Sequence, residues 1–93
     1  MMERTLERRL KREVEKRKAK AWKFVSPGVS GVPDRIILLS GGRAVFIEMK
    51  DTGEDLEPLQ KKRAQELRAL GFEVYDIDSN EKIDDFIRRV FGT

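Results

Sequence analysis

Three residues of this chain combine side-chain type and spacing in a way that suits chemistry: Asp34, Glu48 and Lys50. In Val45-Phe46-Ile47-Glu48-Met49-Lys50, strand alternation puts Val45, Ile47 and Met49 on one face and Phe46, Glu48 and Lys50 on the other. Glu48 and Lys50 therefore project together. Upstream, Asp34-Arg35-Ile36-Ile37-Leu38-Leu39 is a second β-rich run, and the intervening Ser40-Gly41-Gly42 is a hairpin signal. A three-residue loop sets Leu39 across from Arg43, and the same register carries Asp34 to a position opposite Glu48, with Cβ atoms about 4.5–5.5 Å apart. A two-residue loop would pair Asp34 with Met49 instead. Adjacent carboxylates repel each other, and a hard, oxygen-seeking cation such as Mg2+ or Mn2+ removes that penalty. A lysine on the same face adds a fixed positive charge able to hold a scissile phosphate or orient a water. That combination suits phosphodiester hydrolysis. Glu-x-Lys with an upstream Asp is nevertheless a weak motif alone, because a plain cross-strand ion pair uses the same residues.

Composition narrows the chemistry further. The chain has no histidine and no cysteine, which removes imidazole bases and ligands, thiolate metal sites, disulfides and every Ser/His or Cys/His nucleophile. Catalysis must then rest on carboxylates, lysine or hydroxyl groups. Ninety-three residues suit a single domain, taken here as residues 1–93. Apolar runs are only a few residues long, so a soluble, intracellular, cytoplasmic protein is expected. The net charge of +3 conceals a segregation: residues 1–23 carry ten Lys/Arg against four Asp/Glu, and residues 24–93 carry ten against thirteen. A basic end of this kind fits a polyanion, with Lys16, Arg17, Lys18 and Lys20 as the candidate phosphate contacts, although a solvated helix face has the same composition.

The elements that must hold these groups follow from periodicity. Leu6, Leu10 and Val14 recur every four positions between charged residues, which predicts an amphipathic helix from Thr5 to about Lys18. Ala21–Ser26 alternates and predicts a short strand, with Trp22, Phe24 and, later, Tyr75 expected in the core. Pro27–Pro33 reads as a loop, and along the stretch leading to Asp34 the backbone N–H groups of Ser26, Gly28, Ser30 and Gly31 are candidates to meet a phosphate. Pro58 suits a first helical turn, Leu59, Leu67 and Leu70 line one face, and Gly71 supplies the stop. Phe72–Ile77 reads as a strand, and Ser79 as the N-cap of a last helix bearing Ile83, Phe86, Ile87 and Val90. The order is αβββαβα. A strand–helix–strand crossover after the hairpin makes the last strand parallel to a central one, so the expected fold is an α/β three-layer sandwich on a mixed sheet.

Gly31-Val32-Pro33-Asp34, a hairpin, and Ile47-Glu48-Met49-Lys50 resemble the Pro-Asp … Glu-x-Lys pattern of the PD-(D/E)xK nuclease superfamily, whose restriction-endonuclease-like core has the same order. More narrowly, Lys23-Phe24-Val25-Ser26-Pro27-Gly28, Gly31-Val32-Pro33-Asp34-Arg35, Glu48-Met49-Lys50 and Leu59-Gln60 are similar to the virus-type replication-repair nuclease (VRR-NUC) domain over nearly the whole chain. The resemblance implies Asp34, Glu48 and the Met49 carbonyl as metal ligands, Lys50 as the catalytic lysine, and a first-helix acid for which Glu7 is the better match and Glu3 the alternative. It also implies a role for Gln60 near the site; alternation points Arg35 to the opposite face, so Arg35 is assigned no catalytic role. The implied activity is a Mg2+- or Mn2+-dependent DNA endonuclease selective for branched DNA such as four-way (Holliday) junctions, in keeping with DNA repair and with a phage-encoded protein in a bacterial host. Paired incisions across a junction's two-fold axis suit a homodimer, with the first or last helix as the expected contact.

Overall fold

A computed structural model describes residues 2–92. The first helix, α1, spans Glu3–Lys16, and its four-residue stripe of Leu6, Leu10 and Val14 is fully buried. Strand β1 (Lys20–Lys23) pairs antiparallel with β2 (Arg35–Leu39), which turns through Ser40–Gly42 into β3 (Arg43–Met49). Gly41 and Gly42 both take positive φ in that turn, so the two glycines make a three-residue connection accessible without Cβ strain. After α2 (Pro58–Ala69), strand β4 (Glu73–Ile77) returns parallel to β3, and α3 (Asn80–Phe91) closes the chain. The sheet order is β1-β2-β3-β4, mixed as expected.

Alternation decides which helix meets which face. Ile37, Val45, Ile47, Met49 and Ile77 point to one side, where α1 and α3 bury Leu6, Leu10, Val14, Ile83, Phe86, Ile87 and Val90 against them. Phe46 and Val74 point to the other, under α2, with Ala64, Phe24, Ile36 and Leu67. Three layers result. Each fully buried aliphatic or aromatic side chain stabilises by about 1.5–3 kcal/mol, so the larger cluster carries most of the apolar driving force. The caps match the local residues: the Ser79 hydroxyl accepts the Lys82 N–H (3.2 Å), and Glu57 and Gln60 form a reciprocal capping box at the start of α2.

Several sequence expectations need correction. Helix α1 starts and ends two residues earlier than its pattern suggests, because Lys18 adopts a left-handed φ of 63° that breaks the helix. Strand β1 is Lys20–Lys23 rather than Ala21–Ser26; beyond it the Phe24 N–H donates to the Asp34 carbonyl (2.9 Å) before Pro27 turns the chain away. Trp22 is not core: it lies on an edge strand and is 57% exposed, whereas Phe24 and Tyr75 pack against the two clusters. Leu59 and Leu70 do not line a buried face of α2 either. The small Ala64 is its buried residue, with Leu67 half-buried beside it, and Leu70 lies open to solvent. Among the described residues no helix is long and apolar enough to cross a membrane.

Candidate active site

The β2–β3 pairs run from Leu39↔Arg43 to Arg35↔Ile47, the register of the three-residue turn. One step further it carries Asp34, just before β2, to the level of Glu48. The two are in contact: their carboxyl groups share a hydrogen bond, and Asp34 also accepts the Met49 N–H at 3.3 Å. Glu48 is the one polar residue among the buried set of the described chain, 6% exposed. Lys50 follows the end of β3, and its N–H donates to the Ile77 carbonyl (2.9 Å), which extends the parallel ladder by one residue.

Electrostatics record how costly this arrangement is. Burial, then the neighbouring Asp34, pushes the Glu48 carboxyl up to about 8. Burial likewise raises Asp34 to about 6, opposed by the Met49 N–H and assisted by the charges of Glu7 and Glu3. The Lys50 charge acts the other way on both Glu48 and Glu3. Glu3 itself is held above its ordinary value by burial, Glu7 and Asp51.

Helix α1 delivers two acids. Glu3, Glu7 and Asp34 each place a carboxylate oxygen within 4.8 Å of the others, so both candidates for the first-helix acid reach the site. They are tethered differently. Glu7 receives the Arg35 guanidinium at 2.9 Å in a largely buried pair, while the Glu3 backbone N–H donates to Asp51 Oδ1 at 2.6 Å. Asp34 thus joins two groups, Glu48 on the sheet side and Glu3 with Glu7 on the helix side. An all-oxygen set of carboxylates, two of which stay protonated to unusually high pH, fits a hard divalent cation. Arg35 is the contact that sequence reasoning missed. Alternation did place it on the α1 face, and that is where Glu7 lies.

The remaining candidates fall in three places. Gln60 uses its Oε1 to accept the Glu57 N–H (2.8 Å), so its amide is engaged in starting α2. The loop that leads to Asp34 is braced on that helix: Arg63 Nε donates to the Ser30 carbonyl (2.9 Å), and a Cβ on Gly31, whose φ is +83°, would lie 2.7 Å from Leu59 Cγ. Ser26 accepts the Val29 N–H through its carbonyl, and Gly28 has open space around it. Lys16, Arg17, Lys18 and Lys20 gather at the far end of the sheet, where Lys20 faces Leu38, four positions and about 13 Å along β2 from Asp34. Two of the four already have partners, since Arg17 and Lys16 pair with Glu13.

No family model matches the chain. A protein named "Putative nuclease p44", from Acyrthosiphon pisum secondary endosymbiont phage 1, is 43% identical over 77 residues, 83% of either chain. Among solved structures, a VRR_NUC domain superposes with a TM-score of 0.76 at 24% identity, over 97% of this chain and 99% of that one. The mixed four-stranded sheet, its helical layers and the acid pair on the central hairpin define a restriction-endonuclease-like domain. The chain belongs to the same family as the phage protein named a putative nuclease, and it has the fold of a VRR_NUC domain.

Proposed function

We propose that this chain is a divalent-metal-dependent endonuclease that hydrolyses DNA phosphodiester bonds, with branched DNA such as four-way junctions as its preferred substrate. The observation that carries the reading is the mutually hydrogen-bonded Asp34–Glu48 pair, Glu48 buried and Asp34 partly so, with Lys50 at the end of the same strand as Glu48. A structural ion pair does not require two carboxylates in contact; a cation site does. Asp34, Glu48 and the Met49 carbonyl are the residues that would hold Mg2+ or Mn2+, with Glu3 or Glu7 directly or through water. The ion, when bound, supplies Lewis acidity and neutralises charge on the phosphoryl oxygens.

The chain's own residues do the rest. Lys50 orients the attacking water and offsets negative charge growing on the phosphoryl oxygens. The water oxygen bonds to phosphorus in line with the departing 3′ oxygen; the P–O3′ bond breaks, the 3′ oxygen takes up a proton, and a 5′-phosphate remains. Arg35 keeps Glu7 turned toward Asp34 rather than toward solvent. Gly31 and Arg63 fix the loop that sets the height of Asp34.

The nuclease reading is further supported by the phage relative's name. A homodimer suits paired cuts on two strands, although α1 and α3 spend their apolar stripes on the chain's own core rather than on a second copy. The deciding experiment compares cleavage of a four-way junction, a flap and a linear duplex at equal concentration, with Mg2+, Mn2+ or chelator, beside light scattering at micromolar protein. Metal-dependent cutting that favours the junction, by a particle of twice the chain mass, is expected. DNA binding without cutting in either metal would mark a non-catalytic accessory module, and equal rates on all three DNAs a flap or duplex nuclease without branch preference.

A further inference from the structure

Trp22 lies more than half exposed on an edge strand. Its position relative to the acids is fixed by the sheet. Trp22 pairs with Ile36, which pairs with Phe46, and the next row on that same face is Phe24, Asp34 and Glu48. With about 4.8 Å between strands and 6.7 Å between successive residues of one face, the Trp22 Cα lies about 8 Å from that of Asp34 and about 12 Å from that of Glu48. A strand of B-form DNA advances about 3.4 Å per nucleotide, so the indole stands two to four nucleotides from a phosphate held at Asp34.

The surroundings are those of a nucleic-acid contact. Lys20 shares the face of Trp22 and Lys23 ends the same strand on the opposite face; both are exposed, and among the described residues neither has an ion-pair partner. We infer that Trp22 is a stacking platform for a nucleobase left unpaired at a branch of the DNA, with Lys20 attending its phosphates, and so contributes to a preference for branched DNA over plain duplex. The inference rests on the nuclease reading above. A planar indole stacks on any base, and cations beside it favour a polyanion over a neutral apolar partner. Charge also disfavours a second copy at this edge. A two-fold antiparallel pairing centred on β1 would set Lys20 opposite Lys23 of the other copy, like charge on like charge.

Trp22 is the single tryptophan of the chain, so its emission reports this position alone. The experiment titrates the full chain carrying Asp34→Asn, which leaves strands intact, with a labelled flap DNA and a labelled blunt duplex in Mg2+. Label anisotropy and indole emission are followed together. Expected is quenching by the flap and not by the duplex. Trp22→Ala should weaken flap binding about 5- to 150-fold, the range for removing a base–aromatic stack, and Trp22→Phe should recover most of it. Binding of the flap without an indole response overturns the stacking role while leaving the nuclease reading intact, as does equal weakening on the duplex. An emission change that follows protein concentration without DNA overturns it in favour of a second copy. Absence of binding to either DNA sinks the nuclease reading and the stacking role with it.

Discussion

Replacing Glu48 by glutamine should make the metal-free protein more stable while ending its catalysis. Burial, with the mutual repulsion of the pair, pushes the carboxyls of Glu48 and Asp34 up to about 8 and about 6 from ordinary values of 4.5 and 3.8. An acid whose pKa is raised by folding binds its proton more tightly in the native state. Stability is therefore full below the unfolded pKa near 4 and is lost as pH rises toward 8, the folded value for Glu48. The Glu48 shift alone corresponds to a ceiling of about 5 kcal/mol at about 1.36 kcal/mol per pH unit. The Asp34 shift contains the same mutual repulsion and is not added, and relaxation around the charged pair brings the expected loss to about 2–3 kcal/mol. At about 4–8 °C per kcal/mol for a domain of this size, the metal-free Tm should fall by roughly 10–20 °C between pH 5 and 8. Glutamine keeps the shape and a hydrogen bond to Asp34 without the second charge, so most of that fall should vanish. Thermal melts in chelator from pH 5 to 8.5, repeated with millimolar Mg2+, measure both effects. The ion should raise the wild-type Tm at pH 8 and leave the variant nearly unmoved. A flat wild-type profile in chelator, or a Glu48→Gln protein no more stable than wild type at pH 8, would refute the account of a strained acid pair.

Lys50→Ala and Asp34→Asn should each cut the cleavage rate by about a thousandfold or more while circular dichroism and DNA affinity stay close to wild type, since they remove charge stabilisation and a ligand rather than core; near wild-type cutting by either would misplace the site. Gly31→Ala should lower the Tm by roughly 5–15 °C, because a Cβ there meets Leu59 at 2.7 Å and the φ of +83° is strained for any L side chain. If the basic end touches DNA, neutralising Lys16, Arg17, Lys18 and Lys20 together should flatten the salt dependence of binding, by about 0.9 in log–log slope for each phosphate that is no longer neutralised. An unchanged slope would show that those charges serve only solvation.

Much of this site was legible because short-range rules govern it. The two strands and the Gly41-Gly42 turn are visible in the sequence, and of the two registers they allow the structure takes that of the three-residue turn, which brings Asp34 to the level of Glu48. The fold order follows from the same periodicities and from the Pro58, Gly71 and Ser79 signals. Misreadings arise where a residue's type contradicts its place. Trp22 alternates as a core residue does, but nothing in the sequence marks β1 as the edge strand left uncovered. Leu59 and Leu70 have helical spacing, yet the close approach of α2 to the sheet is made by Ala64. Arg35 points away from Glu48, and only the packing of α1 across that face reveals Glu7 waiting there. Gln60 shows the reverse: its first-turn position is visible, but a capping box and a site residue share that signature.

The parallel pairing of β3 with β4 also sets an order of assembly. Asp34 and Glu48 are joined by one hairpin, an event of about microseconds. Lys50 is anchored only when its N–H finds the Ile77 carbonyl, which requires the whole α2 crossover and the last strand. The closing of that longer loop is slower and entropically dearer. On a growing chain the two acids can meet well before the lysine beside them is held. The carboxylate pair is thus joined by a local part of the domain and the strand end bearing Lys50 by a non-local one, so completing the proposed site requires the C-terminal third of the polypeptide as well as the residues that bear the charges.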